Sequence, residues 1–253
     1  MSDIKSDLTS LSYWESRQKG LHPAKDQRAI KDLLDALEPF LRPYKNQRWI
    51  ELGCSPGHMS SLLFRRIPFI PSGIDFSPQA HLYVETMAHF AGVDATLFQV
   101  DVREFTSAES FDVVMSFGLI EHFSNPKEIL FHHIRLCKPG GLVVVTIPHF
   151  RYLQWVYHYL FDRSDLARHN LSIMNIETFR GFSEEYTLEV LYLGYVGRIQ
   201  FWNVDETGPR MVAATRKLFS ILARGVAAYF LAKVFPPNKK LYAPWIVFVA
   251  RRI

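Results

Sequence analysis

Short apolar runs that end on glycine or aspartate, alternating with stretches of helical periodicity, constrain this chain more than any other feature. A mostly parallel sheet needs that alternation, because each strand must be carried back to the same edge by a crossover that covers a sheet face. RWIEL stops at Gly53, SGI at Asp75 and TLFQV at Asp101; FDVVMS follows at 111–116 and GLVVVTIP at 141–148. Their β-branched, continuously apolar character predicts five buried strands. Helices are predicted over 59–66, 78–91 and 126–137, with Ser77 as N-cap and Pro78 at the first helical position. Pro139-Gly140-Gly141 predicts a turn into the fifth strand. LEVLYLGY (188–195) and PWIVFVA (244–250) complete a plausible seven-stranded sheet, and the fold class is α/β.

The rest of the chain divides around that core. Residues 1–48 read as a helical arm, in which Ile30, Leu33, Leu34, Leu37 and Leu41 form one apolar stripe on a helix over 27–41. Residues 49–148 form the binding core. Residues 149–187 are an aromatic, histidine-containing insertion, expected to act as a lid because ligands of open α/β sheets bind beyond the carboxyl ends of the strands. Residues 188–253 complete the sheet with a basic, apolar helix. Charge is uneven: residues 207–253 hold nine Lys or Arg and no Asp or Glu, against 20 basic and 25 acidic residues in the remainder. The run LFSILARGVAAYFLAKVF (218–235) is interrupted by Arg224 and Lys233, too early for the roughly 20 apolar residues of a bilayer span. It reads as a core-covering helix, with peripheral contact to an anionic membrane as the alternative. Two cysteines, Cys54 and Cys137, without paired spacing, and an N-terminus lacking a basic start and an apolar core, predict a reducing, cytoplasmic setting.

The chemistry-bearing stretch is WIELGCSPGHMSSLL, a strand entering a glycine turn that opens a helix. Gly53 and Gly57 allow close backbone approach to a ligand at a helix N-terminus. Asp75 follows 22 residues after Gly53, at the end of the second strand, where a carboxylate can accept both ribose hydroxyls of a nucleoside. Asp101, with the Val102 backbone, is placed to read an adenine amino group. The spacing is G-x-x-x-G and lacks the G-x-G-x-x-G that a dinucleotide pyrophosphate requires.

ELGCSPG, GIDFSPQA, FQVDVREF, FDVVMSFGLIEHF and LCKPGG stand in an order and spacing that resembles the class I S-adenosylmethionine-dependent methyltransferases, within them the ubiquinone and menaquinone type, over residues 49–148. The resemblance implies a Rossmann-like, doubly wound sheet, mostly parallel with an antiparallel last strand and helices on both faces, and S-adenosyl-L-methionine as cofactor. It implies that Glu51, Gly53, Cys54 and Gly57 line the methionine end, that Asp75 holds the ribose and Asp101 the adenine, and that Phe76, Val102 and Phe117 wall the adenosine. Ser55 replaces the usual middle glycine of the turn and Pro56 follows it. The Glu121-His122 pair is expected to face the methyl group, with His122 as a candidate base. Quinone-type relatives carry a further acidic residue where this chain has Gly118, so no metal is expected.

On the acceptor side, His149, Arg151, His169, Asn170 and Tyr13 are the candidate contacts. Histidine and asparagine suit hydroxyl groups, and arginine suits carboxylate or phosphate. Tyr13-Trp14-Glu15 could close over a cationic sulfonium. A small-molecule, glycan or lipid-linked acceptor is expected and nucleic acid is not, since SFGL stands where amino-group methyltransferases of nucleic acid carry an N/D-P-P-Y/F motif. A non-catalytic binding scaffold and a nucleic-acid methyltransferase are the competing readings.

Overall fold

The structure is a computed structural model and describes residues 8–10, 12–14, 28–198 and 236–253. A seven-stranded sheet is built from β1 (Arg48–Leu52), β2 (Ile70–Ile74), β3 (Thr96–Phe98), β4 (Phe111–Phe117), β5 (Cys137–Pro148), β6 (Leu188–Val196) and β7 (Trp245–Arg252). Their spatial order is β3-β2-β1-β4-β5-β7-β6. β7 runs antiparallel to both its neighbours, β5 and β6, and the pairs from β3 through β5 are parallel.

Helices α1 (Arg28–Leu41), α2 (His58–Arg66), α3 (His81–Thr86), α4 (Pro126–Leu136), α5 (Leu153–Phe161), α6 (Arg163–Ala167) and α7 (Ile176–Glu185) surround the sheet. Successive strand residues point to opposite faces. Trp49, Val113 and Val144 therefore meet Leu33, Leu37 and Leu41 of α1 and Leu63 of α2. Ile50, Val114 and Val143 meet Ile129 of α4 and Phe179 of α7 on the other side. The leucine stripe of α1 is a sheet cover, as its period implied; Gln27 lies outside the described residues.

Several boundaries depart from the sequence expectation. β3 ends at Phe98, because the Val100 N–H bonds back to the Phe98 carbonyl and turns the chain off the sheet. β5 begins at Cys137, which pairs with Phe111, and the irregularity that follows absorbs Gly140 at φ 78° inside the strand instead of in a preceding turn. The Ser77 side chain caps nothing; the Asp75 carboxylate takes the Ser77 N–H at 2.8 Å in its place. The helix expected over 78–91 is a 3-10 turn, then α3, then a π-turn at Met87–Ala91.

Gly73 is required by space. A Cβ on it would lie 2.5 Å from Cys54 Sγ and 2.9 Å from Tyr83 Cε1, inside the closed interior. Gly73→Ala is expected to cost about 1–3 kcal/mol by overpacking, read as a lower denaturant midpoint at unchanged slope.

Candidate functional site

From β1 the chain moves outward to β2 and β3, then crosses back to β4 on the other side. Connections leaving the carboxyl ends of β1 and β4 diverge at that crossing and leave a crevice. A solvent-open cleft of about 700 Å³ occupies it. Gly53 and Ser55 line it from the turn after β1; Ile74, Asp75 and Phe76 from the end of β2; Val100, Asp101 and Val102 from the chain after β3. Phe117, Gly118 and Leu119 close the β4 side, and His122, Phe123 and Trp14 form the far wall.

Gly53 has φ 68° and Gly57 φ 89°, left-handed conformations that side chains disfavour. The turn they shape is tied to β2, since the Gly53 and Cys54 amides both donate to the Ile74 carbonyl. Asp75 strengthens the tie: Oδ2 accepts the Ser55 N–H at 3.0 Å and Oδ1 the Ser77 N–H at 2.8 Å. Burial raises its pKa above the ordinary carboxylate value, against these hydrogen bonds. A carboxylate oxygen has two acceptor directions, so each keeps capacity for a ligand hydroxyl. Asp101 is clamped by Arg103, whose Nε and terminal nitrogen donate at 3.0 and 2.7 Å.

Of the residues assigned to the cofactor, Gly53, Asp75, Phe76, Asp101, Val102 and Phe117 line the cleft; Glu51, Cys54 and Gly57 do not. The turn after β1 puts the Cys54 side chain into the interior against Gly73, and burial pushes its thiol pKa well up. Glu51 is buried and accepts the Ser60 hydroxyl, its pKa pushed by burial to about 8. Gly57 starts α2 and is closed over by Tyr83. Sequence reasoning missed Leu119 and Phe123, which flank Glu121-His122; the apolar residues of FGLIEHF were the available signal.

At the far wall, the insertion packs onto the helical turn Ile120–His122. The Asn170 amide donates to the Glu121 carbonyl at 2.7 Å, and its side chain to the Phe123 carbonyl at 3.3 Å. His122 Nδ1 lies 3.0 Å from the Arg168 carbonyl. A carbonyl only accepts, so Nδ1 carries the proton and Nε2 is the basic atom. Trp14 meets the His122 ring edge-on at 5.0 Å, and the His169 ring lies 4.5 Å from it. Tyr13 stands behind Trp14, with the Arg168 guanidinium 4.3 Å over its ring. Thus His122, His169, Asn170, Tyr13 and Trp14 do assemble, while Glu15 lies outside the described residues.

His149 and Arg151 do not join them. The His149 amide continues the ladder to Pro244, its Nδ1 donates to the Ala243 carbonyl at 3.0 Å, and its ring packs at 4.8 Å from Tyr195. Burial lowers its pKa to about 4. Arg151 is exposed. Neither residue lines the cleft, because His149 is tied to the start of β7 and Arg151 turns to solvent. The helix expected at 218–235 lies outside the described residues.

Glu121 is fully buried, no other residue among those described donates to its carboxylate, and burial raises its pKa to about 8. It, His122 and His169 bring one oxygen and two ring nitrogens within 4.8 Å of one another. A folded-state pKa above the ordinary 4.5 means that the folded form binds the extra proton: the contribution is complete below 4.5 and is lost as pH rises through about 8. The melting temperature is therefore expected to fall between those values, as Glu51 and Glu121 both give up that proton. Glu121→Gln should flatten that slope, as thermal melts across the range would read.

The comparisons agree with this geometry. A family model described as a methyltransferase domain matches residues 22–193. The ubiquinone biosynthesis O-methyltransferase of Alkalilimnicola ehrlichii is 27% identical over 144 residues, 56% of this chain and 57% of that protein. The trans-aconitate 2-methyltransferase of Mycobacterium tuberculosis (strain ATCC 25177 / H37Ra) is 30% identical over 103 residues, 40% of this chain and 37% of that protein. The chain thus spans between about a third and somewhat over half of the length of these relatives. Among solved structures, an N-methyltransferase of Bradyrhizobium japonicum WM9 in complex with S-adenosyl-L-homocysteine shares the fold, with TM-score 0.58 at 13% identity over 96% of this chain and 98% of that one. With its sheet order, its cleft and the matched domain all in one register, the chain belongs to the class I S-adenosylmethionine-dependent methyltransferase family.

Proposed function

We propose that the protein moves the methyl group of S-adenosyl-L-methionine to a hydroxyl of a small-molecule, glycan or lipid-linked acceptor. One observation carries the reading: a single cleft is lined by Asp75, Asp101 and His122, and the Arg168 carbonyl takes the His122 Nδ1 proton. The relative named for ubiquinone biosynthesis O-methyltransfer supports oxygen as the accepting atom.

When bound, the cofactor supplies a sulfonium methyl whose leaving group is a neutral thioether, so most of the rate can come from alignment. Asp75 would hold the ribose hydroxyls, and Asp101 with the Val102 backbone the adenine edge. His122 Nε2 would take the proton of the acceptor hydroxyl as its oxygen takes the methyl group. The Arg168 carbonyl holds the Nδ1 proton, which makes Nε2 the basic ring nitrogen. His169 and Asn170 close the acceptor side, and Trp14 would narrow the mouth.

The quinone-type magnesium site does not fit. Gly118 offers no donor, and two imidazoles with one carboxyl are not the oxygen set that magnesium prefers. No step is assigned to a metal.

Calorimetry with S-adenosylhomocysteine, with NAD as control, tests the cofactor; release of S-adenosylhomocysteine over catechols and hydroxylated glycosides tests the acceptor. Binding of the nucleoside thioether alone, with turnover on a hydroxyl, is the expected result. Binding without turnover on any hydroxyl, amine or RNA substrate would favour the scaffold reading, and no binding would overturn the assignment.

A further inference from the structure

Helix α5 is amphipathic in the wrong sense for a protein in water. Its buried side is built from Gln154, Tyr157 and His158, all no more than 5% exposed. Its outward arc carries Trp155, Val156, Tyr159 and Leu160, with Tyr152 one turn before and Arg163 one turn after. The four helical residues fall at i, i+1, i+4 and i+5, one continuous face that Tyr152 and Arg163 border at either end. Leu160 is 61% exposed, and Leu241 at the start of the helix is 55% exposed; its carbonyl receives the Leu153 amide. Six of the ten exposed large apolar side chains among the described residues lie on this one surface.

We propose that this face is a docking surface for an anionic lipid bilayer. Three features select a bilayer over a second protein. Aromatic side chains dominate, with Trp155 and Tyr159 stacked at 4.8 Å, and such rings prefer the headgroup level of a membrane. The rim is cationic: the Arg163 guanidinium lies 4.1 Å over the Tyr159 ring, the Lys240 amine 5.4 Å from the Tyr152 ring centre, and Arg151 and Lys239 are exposed nearby in sequence. The two acids of this helical segment, Asp162 and Asp165, face inward, toward the Asp165 and Ser164 donors and toward His158 respectively. Neither acid of the segment therefore adds negative charge to the face, and Arg163 and Lys240 give it positive charge. Finally, the described stretch 236–240 beside this face carries Lys239 and Lys240 and no acid. No helix among the described residues is long and apolar enough to cross a membrane, so the contact is interfacial.

Flotation of the full chain with phosphatidylcholine vesicles, with and without phosphatidylglycerol, tests this. Binding is expected to the anionic vesicles and to weaken with salt. The double variant Trp155→Ser, Leu160→Ser should lose about tenfold or more of its partitioning, because each buried methylene contributes near 0.8 kcal/mol. S-adenosylhomocysteine binding should be unchanged, which separates this surface from the cofactor site. Three results would overturn the proposal: no binding of wild type to anionic vesicles, equal binding of the variant, or a wild-type dimer by light scattering that the variant dissolves.

Discussion

Asp75→Ala is expected to weaken S-adenosylhomocysteine binding at least ~100-fold, the loss of two charge-assisted hydrogen bonds of about 1.5–3 kcal/mol each. Asp75 sits at the carboxyl end of β2 inside the cleft, and each oxygen already accepts one backbone N–H, from Ser55 or Ser77. Those amides hold the acceptor directions fixed before any ligand arrives, so the carboxylate needs no rearrangement to meet a vicinal diol. The same amides make Asp75 a tie between two loops, and its loss must be separated from loop disorder. Asp75→Asn keeps the shape but turns one acceptor into a donor that faces a backbone N–H. If both variants melt cooperatively near wild type and both lose the ligand, the ribose role stands. Wild-type affinity in a folded Asp75→Ala variant would reduce Asp75 to a loop brace.

His122→Ala is expected to lower kcat by about 10²–10⁴-fold, the usual contribution of a positioned base, while leaving S-adenosylhomocysteine affinity nearly intact. The comparison uses the phenolic acceptor turned over fastest in the hydroxyl panel. The loss should appear in kcat, with the KM for the acceptor changed little. His122 lines the cleft and donates its Nδ1 proton to the Arg168 carbonyl, which leaves Nε2 to accept. A kcat within threefold of wild type would make His122 a wall residue and leave alignment as the whole of catalysis.

The two carboxylates were legible in the sequence because their positions follow from strand ends, and strand ends are marked locally by Gly or Asp after an apolar run. His122 was legible in the same way, a few residues beyond β4. Cys54 and Glu51 stand outside the cleft lining, and a motif does not record which way each side chain turns. Cys54 points at Gly73, and Glu51 at Ser60. His149 and Arg151 misled for a longer-range reason: proximity in sequence to the insertion says nothing of the antiparallel β7, which holds His149 beside Ala243.

By itself, then, the sequence determined the alternation of strand and crossover, the family, and the acids at the strand ends. These depend on periodicity and local turn chemistry, which short segments encode on their own. Only the tertiary structure decided that His169 and Asn170 stand against Glu121 and His122, that Trp14 reaches the cleft, and that α5 turns its aromatic face outward. Those contacts join residues dozens of positions apart, and their geometry follows from how the insertion and the arm pack on a finished sheet; no local pattern records it.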